Sequence, residues 1–507
     1  MNAETFLEAR NISKRFYAVQ ALENVSVMVK RGEIHALVGE NGAGKSTLGK
    51  IISGIIRPDS GQLLVGGRAV SFSAPRDALV NSITTISQEI SLSGKQTVLQ
   101  NILLGQEVSR AGILNFGAMQ ARFEEVRALS GFNIDPNRRV DSLRMADQKK
   151  VEVMQAIARN ARLIIMDEPT AMLSDEETST FLKIVRQLKS MGLTIIYVSH
   201  FLREVLDLAD TVTVMRNGQV VRTAPTKDET LDSLVTAMLG KTMAQMYPPK
   251  HPPPSDNPIV FKVERLSSAV FDNINLEIRA GEIVGLAGLV GSGRSRLART
   301  LFGAEAVTGG SVTVHGKPVA LRSVGEAIRN GIYMLPESRK EQGLLLKQSV
   351  QLNMTLPHLS DVTGIGGVIN TRAELGRIAG MIKSLDIRTG SAATRLNNLS
   401  GGNQQKVLFG KWLFKRPHIL IIDEPTRGID VGAKQAIYNL IATLAQEGMA
   451  ILMVSSEIEE ILGLSHRVLV MRLGRIVAEL PSSGQDMTET NIMSAAFGTG
   501  QAARQDG

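Results

Sequence analysis

The chain is written twice. The stretch Gly32-Glu-Ile-His-Ala-Leu-Val-Gly-Glu-Asn-Gly-Ala-Gly-Lys45-Ser46 returns 249 residues on as Gly281-Glu-Ile-Val-Gly-Leu-Ala-Gly-Leu-Val-Gly-Ser-Gly-Arg294-Ser295. Asp167-Glu-Pro-Thr170 returns as Asp423-Glu-Pro-Thr426, and Val214-Met-Arg216 as Val470-Met-Arg472, both 256 residues on. Two copies in one order predict two homologous domains. The join is legible in Tyr247-Pro-Pro-Lys-His-Pro-Pro-Pro-Ser-Asp-Asn-Pro258, too rich in proline to continue a helix or a central strand. The expected organisation is one domain at 1–246, an extended linker at 247–258, a second domain at 259–498 and a frayed polar tail at 499–507.

Within each copy, short apolar runs alternate with helical stretches, which predicts an α/β sheet with helices packed on it. Leu193–Val198 reads as a buried strand. The helix before it carries Phe181, Ile184, Val185 and Leu188 at core-facing spacing, with Ser174 and Glu177 as its capping box. Apolar runs such as Leu163–Met166 and Ile419–Ile422 fall far short of the roughly 18 residues that cross a bilayer. The start, MNAETFLEAR, lacks a basic region followed by an apolar stretch, so a cytosolic chain with at most peripheral membrane contact is expected. The absence of cysteine excludes disulfides, iron–sulfur clusters and thiolate zinc. The net charge of +8 comes from Lys and Arg interspersed with acids, so no nucleic acid partner is predicted.

Chemistry concentrates in the first copy. Gly39, Glu40, Asn41, Gly42, Ala43, Gly44, Lys45, Ser46 and Thr47 match G-x-x-x-x-G-K-[ST], after the apolar strand Ile34–Val38 and before an apolar-periodic segment. Glycines there let backbone N–H groups converge on phosphates at the positive end of a helix. Lys45 reaches the β- and γ-phosphates in such a loop, and the Ser46 hydroxyl ligates Mg²⁺. Leu163–Met166 reads as a strand delivering two carboxylates. Asp167 is placed to hold the Mg²⁺ sphere and Glu168 to orient and polarise an attacking water.

On these residues the chain resembles the ATP-binding cassette family over nearly its whole length. The resemblance implies two tandem P-loop ATPase domains, each a RecA-like α/β core with a β-subdomain and a helical subdomain, and it implies ATP with Mg²⁺. The family's signature, usually LSGGQ, stands as Leu399-Ser400-Gly401-Gly402-Asn403 followed by Gln404. There it heads a helix that contacts the γ-phosphate held by the opposite domain. Gln88 falls at the family's Mg²⁺-contacting glutamine, and His200 at its switch histidine, which touches the γ-phosphate. Phe16, with Tyr17 as the alternative, falls where an aromatic ring stacks on adenine.

The second copy departs from the pattern. Its loop, from Gly288 to Gly293, ends in Arg294 before Ser295, and arginine's planar fork does not fill the space of an ammonium. Glu337 replaces Gln88 and Ser456 replaces His200, while Asp423 and Glu424 persist. The first copy's signature has decayed to Leu143-Arg-Met-Ala-Asp147. Since the family builds each site from one domain's phosphate loop and the other's signature, the resemblance implies one competent site and one degenerate site. The competent one joins Lys45, Gln88, Asp167, Glu168 and His200 to Ser400–Asn403. The pattern, with Pro336-Glu-Ser-Arg-Lys340 and Gly343-Leu344, is similar to ATP-binding subunits of bacterial monosaccharide importers. That implies permease subunits and, through them, an extracytoplasmic sugar-binding protein, at the cytoplasmic face of the inner membrane; no other soluble partner is expected. Importers of nucleosides or autoinducers carry similar tandem cassettes. A ribosome-acting factor of the family fits less well, because the linker is short and one signature is degraded.

Overall fold

The computed structural model describes residues 4–499, apart from 18, 88–89, 111–112, 171–172, 174, 365–366 and 482–485. Gln88 and Ser174 therefore lie outside the described residues. The chain forms two compact units, Met1–Met243 and Ala244–Gly507.

In the first unit a six-stranded sheet runs in the order Gln219–Pro225, Thr211–Arg216, Ile34–Val38, Thr194–Val198, Leu163–Asp167, Ile83–Ile86. Only the edge strand Gln219–Pro225 is antiparallel to its neighbour. Ile34–Val38 and Thr194–Val198 are buried along their whole length, as parallel strands covered on both faces must be. This is why they are unbroken apolar runs instead of alternating ones. The helix Asp175–Ser190 buries Phe181, Ile184, Val185 and Leu188, as its stripe predicts. A separate antiparallel sheet of Val19–Lys30, Thr5–Phe16, Ser60–Val65 and Arg68–Val70 flanks this core.

A helical region is inserted between Ile83–Ile86 and Leu163–Asp167, with Val98–Ile102, Phe116–Ser130 and Met145–Ala158. Fully buried Asn101 ties its entry loop, accepting from Ser93 N at 2.8 Å and donating to Ser93 O and Thr97 O at 3.0 Å each.

The second unit repeats this plan. Its six-stranded sheet is ordered Ile332–Leu335, Ile419–Asp423, Ala450–Val454, Ile283–Gly288, Arg467–Arg472, Arg475–Pro481. Asn353 stands in for Asn101, accepting from Leu345 N at 2.7 Å and donating to Leu345 O and Ser349 O. The proline-rich segment lies on this unit. Tyr247 stacks on Tyr438 with ring centroids 4.9 Å apart, and Asn257 donates to Ala280 O at 2.9 Å. Among the described residues, no helix is long and apolar enough to cross a membrane.

Candidate nucleotide sites

In the first unit the strand Ile34–Val38 ends in the loop 39–44, and the helix Lys45–Ile52 begins on Gly44, whose φ of 99° favours glycine. Gly39 is required for a different reason: a Cβ there would strike the carbonyl oxygen of Met215, and Gly288 stands in the same relation to Met471. The loop thus grips its neighbouring strand by backbone in both units. Lys45 is buried and folds back over its own loop, donating to Gly39 O at 2.8 Å and Glu40 O at 3.0 Å.

Ser46 Oγ donates to Asp167 Oδ1 at 3.0 Å. The two are hard oxygen donors, a set that fits Mg²⁺. Burial pushes the Asp167 carboxyl up, with the Ser46 hydrogen bond opposing and the Glu168 charge adding to the rise. Glu168 behaves oppositely. Burial would raise it too, but His200 Nδ1, 3.0 Å from its Oε1, and the Lys45 charge together hold it below the usual carboxylate range. Glu168 also sits at φ 46°, a left-handed backbone uncommon outside glycine that aims the side chain off the strand end. Phe16 closes the hairpin opposite Val19, with Lys14 Nζ 5.6 Å above its ring.

The second unit keeps the frame and changes the chemistry. Ser295 Oγ donates to Asp423 Oδ1 at 3.2 Å, and Glu424 repeats the left-handed backbone at φ 52°. Arg294, however, does not fold onto its loop. Its Nη1 donates to Ser455 O at 2.7 Å, and burial lowers its pKa. Glu424 faces Ser456 Oγ at 3.1 Å where Glu168 faces a histidine. Burial and the Asp423 charge push Glu424 up to about 7. Glu337, in the position of Gln88, is ion-paired with Arg427, so its charge is spent on the segment that follows Asp423–Thr426.

The signature residues head the helix Gly401–Leu413, with Ser400 at its N-cap. Asn403 Nδ2 donates to Ser400 Oγ at 3.0 Å while its Oδ1 accepts from Arg388 N at 2.8 Å. A Cβ on Gly402 would lie 2.9 Å from Ala433 Cβ, so a small residue is needed for the helix to seat. In the first unit the equivalent helix, Met145–Ala158, begins one residue after Arg144 and carries Asp147 paired with Lys150.

The sequence reading did not single out Glu204 and Glu460, which support the strand-end motifs from behind. Glu204 Oε2 accepts from Thr170 Oγ1 at 2.8 Å and from Tyr197 Oη at 2.6 Å, and burial raises its pKa. Glu460 accepts from Thr426, from Tyr438 Oη at 2.7 Å and from Ser455 Oγ at 2.7 Å. The signal was available: the 256-residue offset that pairs Asp167 with Asp423 also pairs Glu204 with Glu460. Glu460→Ala removes the acceptor shared by three buried hydroxyls, of which Tyr438 keeps a second partner in Tyr247, and should destabilise the second unit by about 2–4 kcal/mol. The chain's single tryptophan, Trp412, is buried in this unit, so denaturant unfolding followed by its fluorescence reads the loss directly. An unchanged midpoint would show that the network carries no stability.

Glu424 makes the second unit sensitive to pH. Between pH 4.5 and about 7 the folded unit keeps a proton that the unfolded chain has released. Stability therefore falls as pH rises through that window, and the cost is complete above it. Glu424→Gln removes this cost. The variant should match wild type near pH 5 and exceed it at pH 8 by up to about 3 kcal/mol, measured on the same tryptophan signal.

The chain is similar to known proteins over nearly its whole length. The sequence model described as ABC transporter matches residues 22–171 and again 271–427. An ATP-binding protein of Rhizobium johnstonii named for ribose/galactose/methyl galactoside import is 42% identical over 497 residues, covering 98% of this chain and 96% of that protein. The ribose import ATP-binding protein RbsA of Yersinia pestis is 43% identical over 499 residues, covering 98% of each. Among solved structures, an ATP-binding cassette of an ABC transporter in its ADP conformation is similar at 26% identity and a TM-score of 0.43, covering 47% of this chain and 99% of that one.

Proposed function

The chain belongs to the ABC transporter family, and on that premise we propose that it is the ATP-hydrolysing subunit of an importer for a monosaccharide. What supports this is the full-length likeness at 42–43% identity to proteins named for ribose and galactose import, joined to the Ser46–Asp167 and Glu168–His200 pairs beside the first unit's phosphate loop. The chain works from the cytoplasmic face of the inner membrane as a peripheral subunit. Its partners are permease subunits and, through them, an extracytoplasmic sugar-binding protein.

The reaction is assigned to the first unit's phosphate loop with Asp167, Glu168 and His200. Backbone N–H groups of residues 39–44 and the Lys45 ammonium hold the β- and γ-phosphates, Lys45 exchanging Gly39 O and Glu40 O for phosphate oxygens. Ser46, Asp167 and Gln88 are the residues for Mg²⁺, which when bound neutralises charge on the β- and γ-phosphates. Glu168 is ionised at neutral pH and takes the proton of the attacking water, while His200 holds its carboxylate in place. Water oxygen bonds to the γ-phosphorus as the bond to the β-bridging oxygen breaks, and ADP leaves with that electron pair. The second loop, with Arg294 turned to Ser455 and the Glu424 carboxyl pushed up to about 7 by burial and Asp423, holds nucleotide and turns it over slowly at most.

Reconstitution with a permease pair and sugar-binding protein in proteoliposomes tests the reading. Hydrolysis stimulated by ribose- or galactose-loaded binding protein is the expected result. Stimulation only by a nucleoside or an autoinducer would move the substrate class, and stimulation by ribosomes instead would sink the transport reading.

A further inference from the structure

The two phosphate loops are embedded alike but open onto different surroundings. In each unit three segments converge behind the loop. Gly218 N donates to Ala43 O at 3.2 Å, and Glu23 N to Gly218 O at 2.8 Å. In the second unit Gly474 N donates to Ser292 O at 3.0 Å, and Asp272 N to Gly474 O at 3.0 Å. Glu23 and Asp272 are thus equivalent, as are Ser13 and Ser267, which pair with the first residues of the next strand, Ser60 and Gly309.

Between those fixed points the chain lengths differ. The first unit spends ten steps from Ser13 to Glu23 on a hairpin whose end, paired Phe16 to Val19, leaves the Phe16 ring 38% exposed. The second spends five steps from Ser267 to Asp272. Ser268 N donates to Phe271 O at 2.9 Å and closes the turn at once. Its one ring, Phe271, is 2% exposed and belongs to the core, and the outward residue is the aliphatic Val270. The turn that would carry a base platform is therefore too short to present one.

The phosphate end is provided for. Ser292 replaces Ala43 within the loop; it is 6% exposed and its hydroxyl has no hydrogen-bond partner. The Asp423 Oδ2 atom is buried and likewise unpartnered. The Ser292 hydroxyl lies beside Gly288 on the packed side of the loop, whereas the Asp423 atom is one that the cation accompanying a phosphate would satisfy, since buried polar atoms without partners are rare.

We propose that the second loop is a polyphosphate site without a base platform, binding the triphosphate of a nucleotide while the base adds little. This rests on the reading that the second loop holds a nucleotide at all. The expected consequence is that inorganic tripolyphosphate competes with ATP there almost as well as ATP itself. At the first site, stacking on Phe16 gives ATP an advantage of roughly tenfold or more.

Equilibrium dialysis of radiolabelled ATP with Mg²⁺ on the full chain tests this. Lys45→Ala, which disables the first loop, should retain about one ATP per chain, displaced by tripolyphosphate at concentrations within about threefold of those for unlabelled ATP. Wild type should show a second class of site that discriminates at least about tenfold, and Phe16→Ala should erase that discrimination. A tenfold preference for ATP in Lys45→Ala would overturn the inference while leaving the nucleotide reading intact. Loss of all ATP binding in Lys45→Ala, with normal Trp412 fluorescence showing a folded second unit, would overturn the nucleotide reading and the inference with it.

Discussion

Glu168→Gln should lower the permease-stimulated turnover number by about 10²–10⁴, the usual worth of a positioned general base, whereas Glu424→Gln should leave more than half of it. The two glutamates occupy matching strand ends, share the same left-handed backbone and are both largely buried. What separates them is the partner. His200 lies 3.0 Å from Glu168 and keeps it ionised, ready to accept a proton. Glu424 faces the Ser456 hydroxyl at 3.1 Å and feels the Arg294 charge, but burial and the like charge of Asp423 outweigh both and push it up to about 7, which makes it a poorer proton acceptor at neutral pH. Steady-state hydrolysis in lipid, with ATP binding measured alongside, is the assay. Equal loss in the two variants would mean that the second loop hydrolyses at full rate, and the asymmetric reading would be wrong.

Lys45→Ala should reduce kcat/KM for ATP by about 10²–10³, the scale found when one preorganised donor to a developing charge is removed. Arg294→Ala should change it by less than about threefold. Each side chain carries one positive charge at the head of its helix, yet they are committed differently. Lys45 folds back onto two carbonyls of its own loop, so exchange of those carbonyls for phosphate oxygens moves it little. Arg294 reaches across to the strand-end carbonyl of Ser455, a residue whose hydroxyl is in turn held by Glu460. Its role is to brace the strand end, and the loss on truncation should appear in the unfolding midpoint of the second unit. If Arg294→Ala cost as much hydrolysis as Lys45→Ala, the guanidinium would have to leave Ser455 for phosphate during turnover.

Much of the frame was legible without coordinates because it is carried by local pattern. The strand Ile34–Val38, the phosphate loop, the run Leu163–Met166 ending in two carboxylates and the stripe of the helix Asp175–Ser190 are all short-range features. A loop that must bring backbone N–H groups to an anion needs glycine at fixed spacing, and a doubly covered strand needs an unbroken apolar run. The repeat then doubled every such signal, so the two-unit α/β plan followed from the chain alone.

The inequality of the two sites was legible only as substitutions, at Arg294, Glu337 and Ser456. What those substitutions do depends on groups far away in the chain. Arg294 turns to a carbonyl 161 residues on, and the charge of Glu168 is held by a histidine 32 residues on. The networks of Glu204 and Glu460, the Glu337–Arg427 pair and the truncated turn at Ser267–Asp272 likewise acquire meaning only in place. Sequence by itself determined that this protein is two phosphate-binding α/β units, because local spacing dictates strand, loop and helix. Tertiary structure decided which carboxylate is charged, which cation faces its own loop and which loop has a ring beyond it, because desolvation and long-range hydrogen bonds exist only after the core has closed.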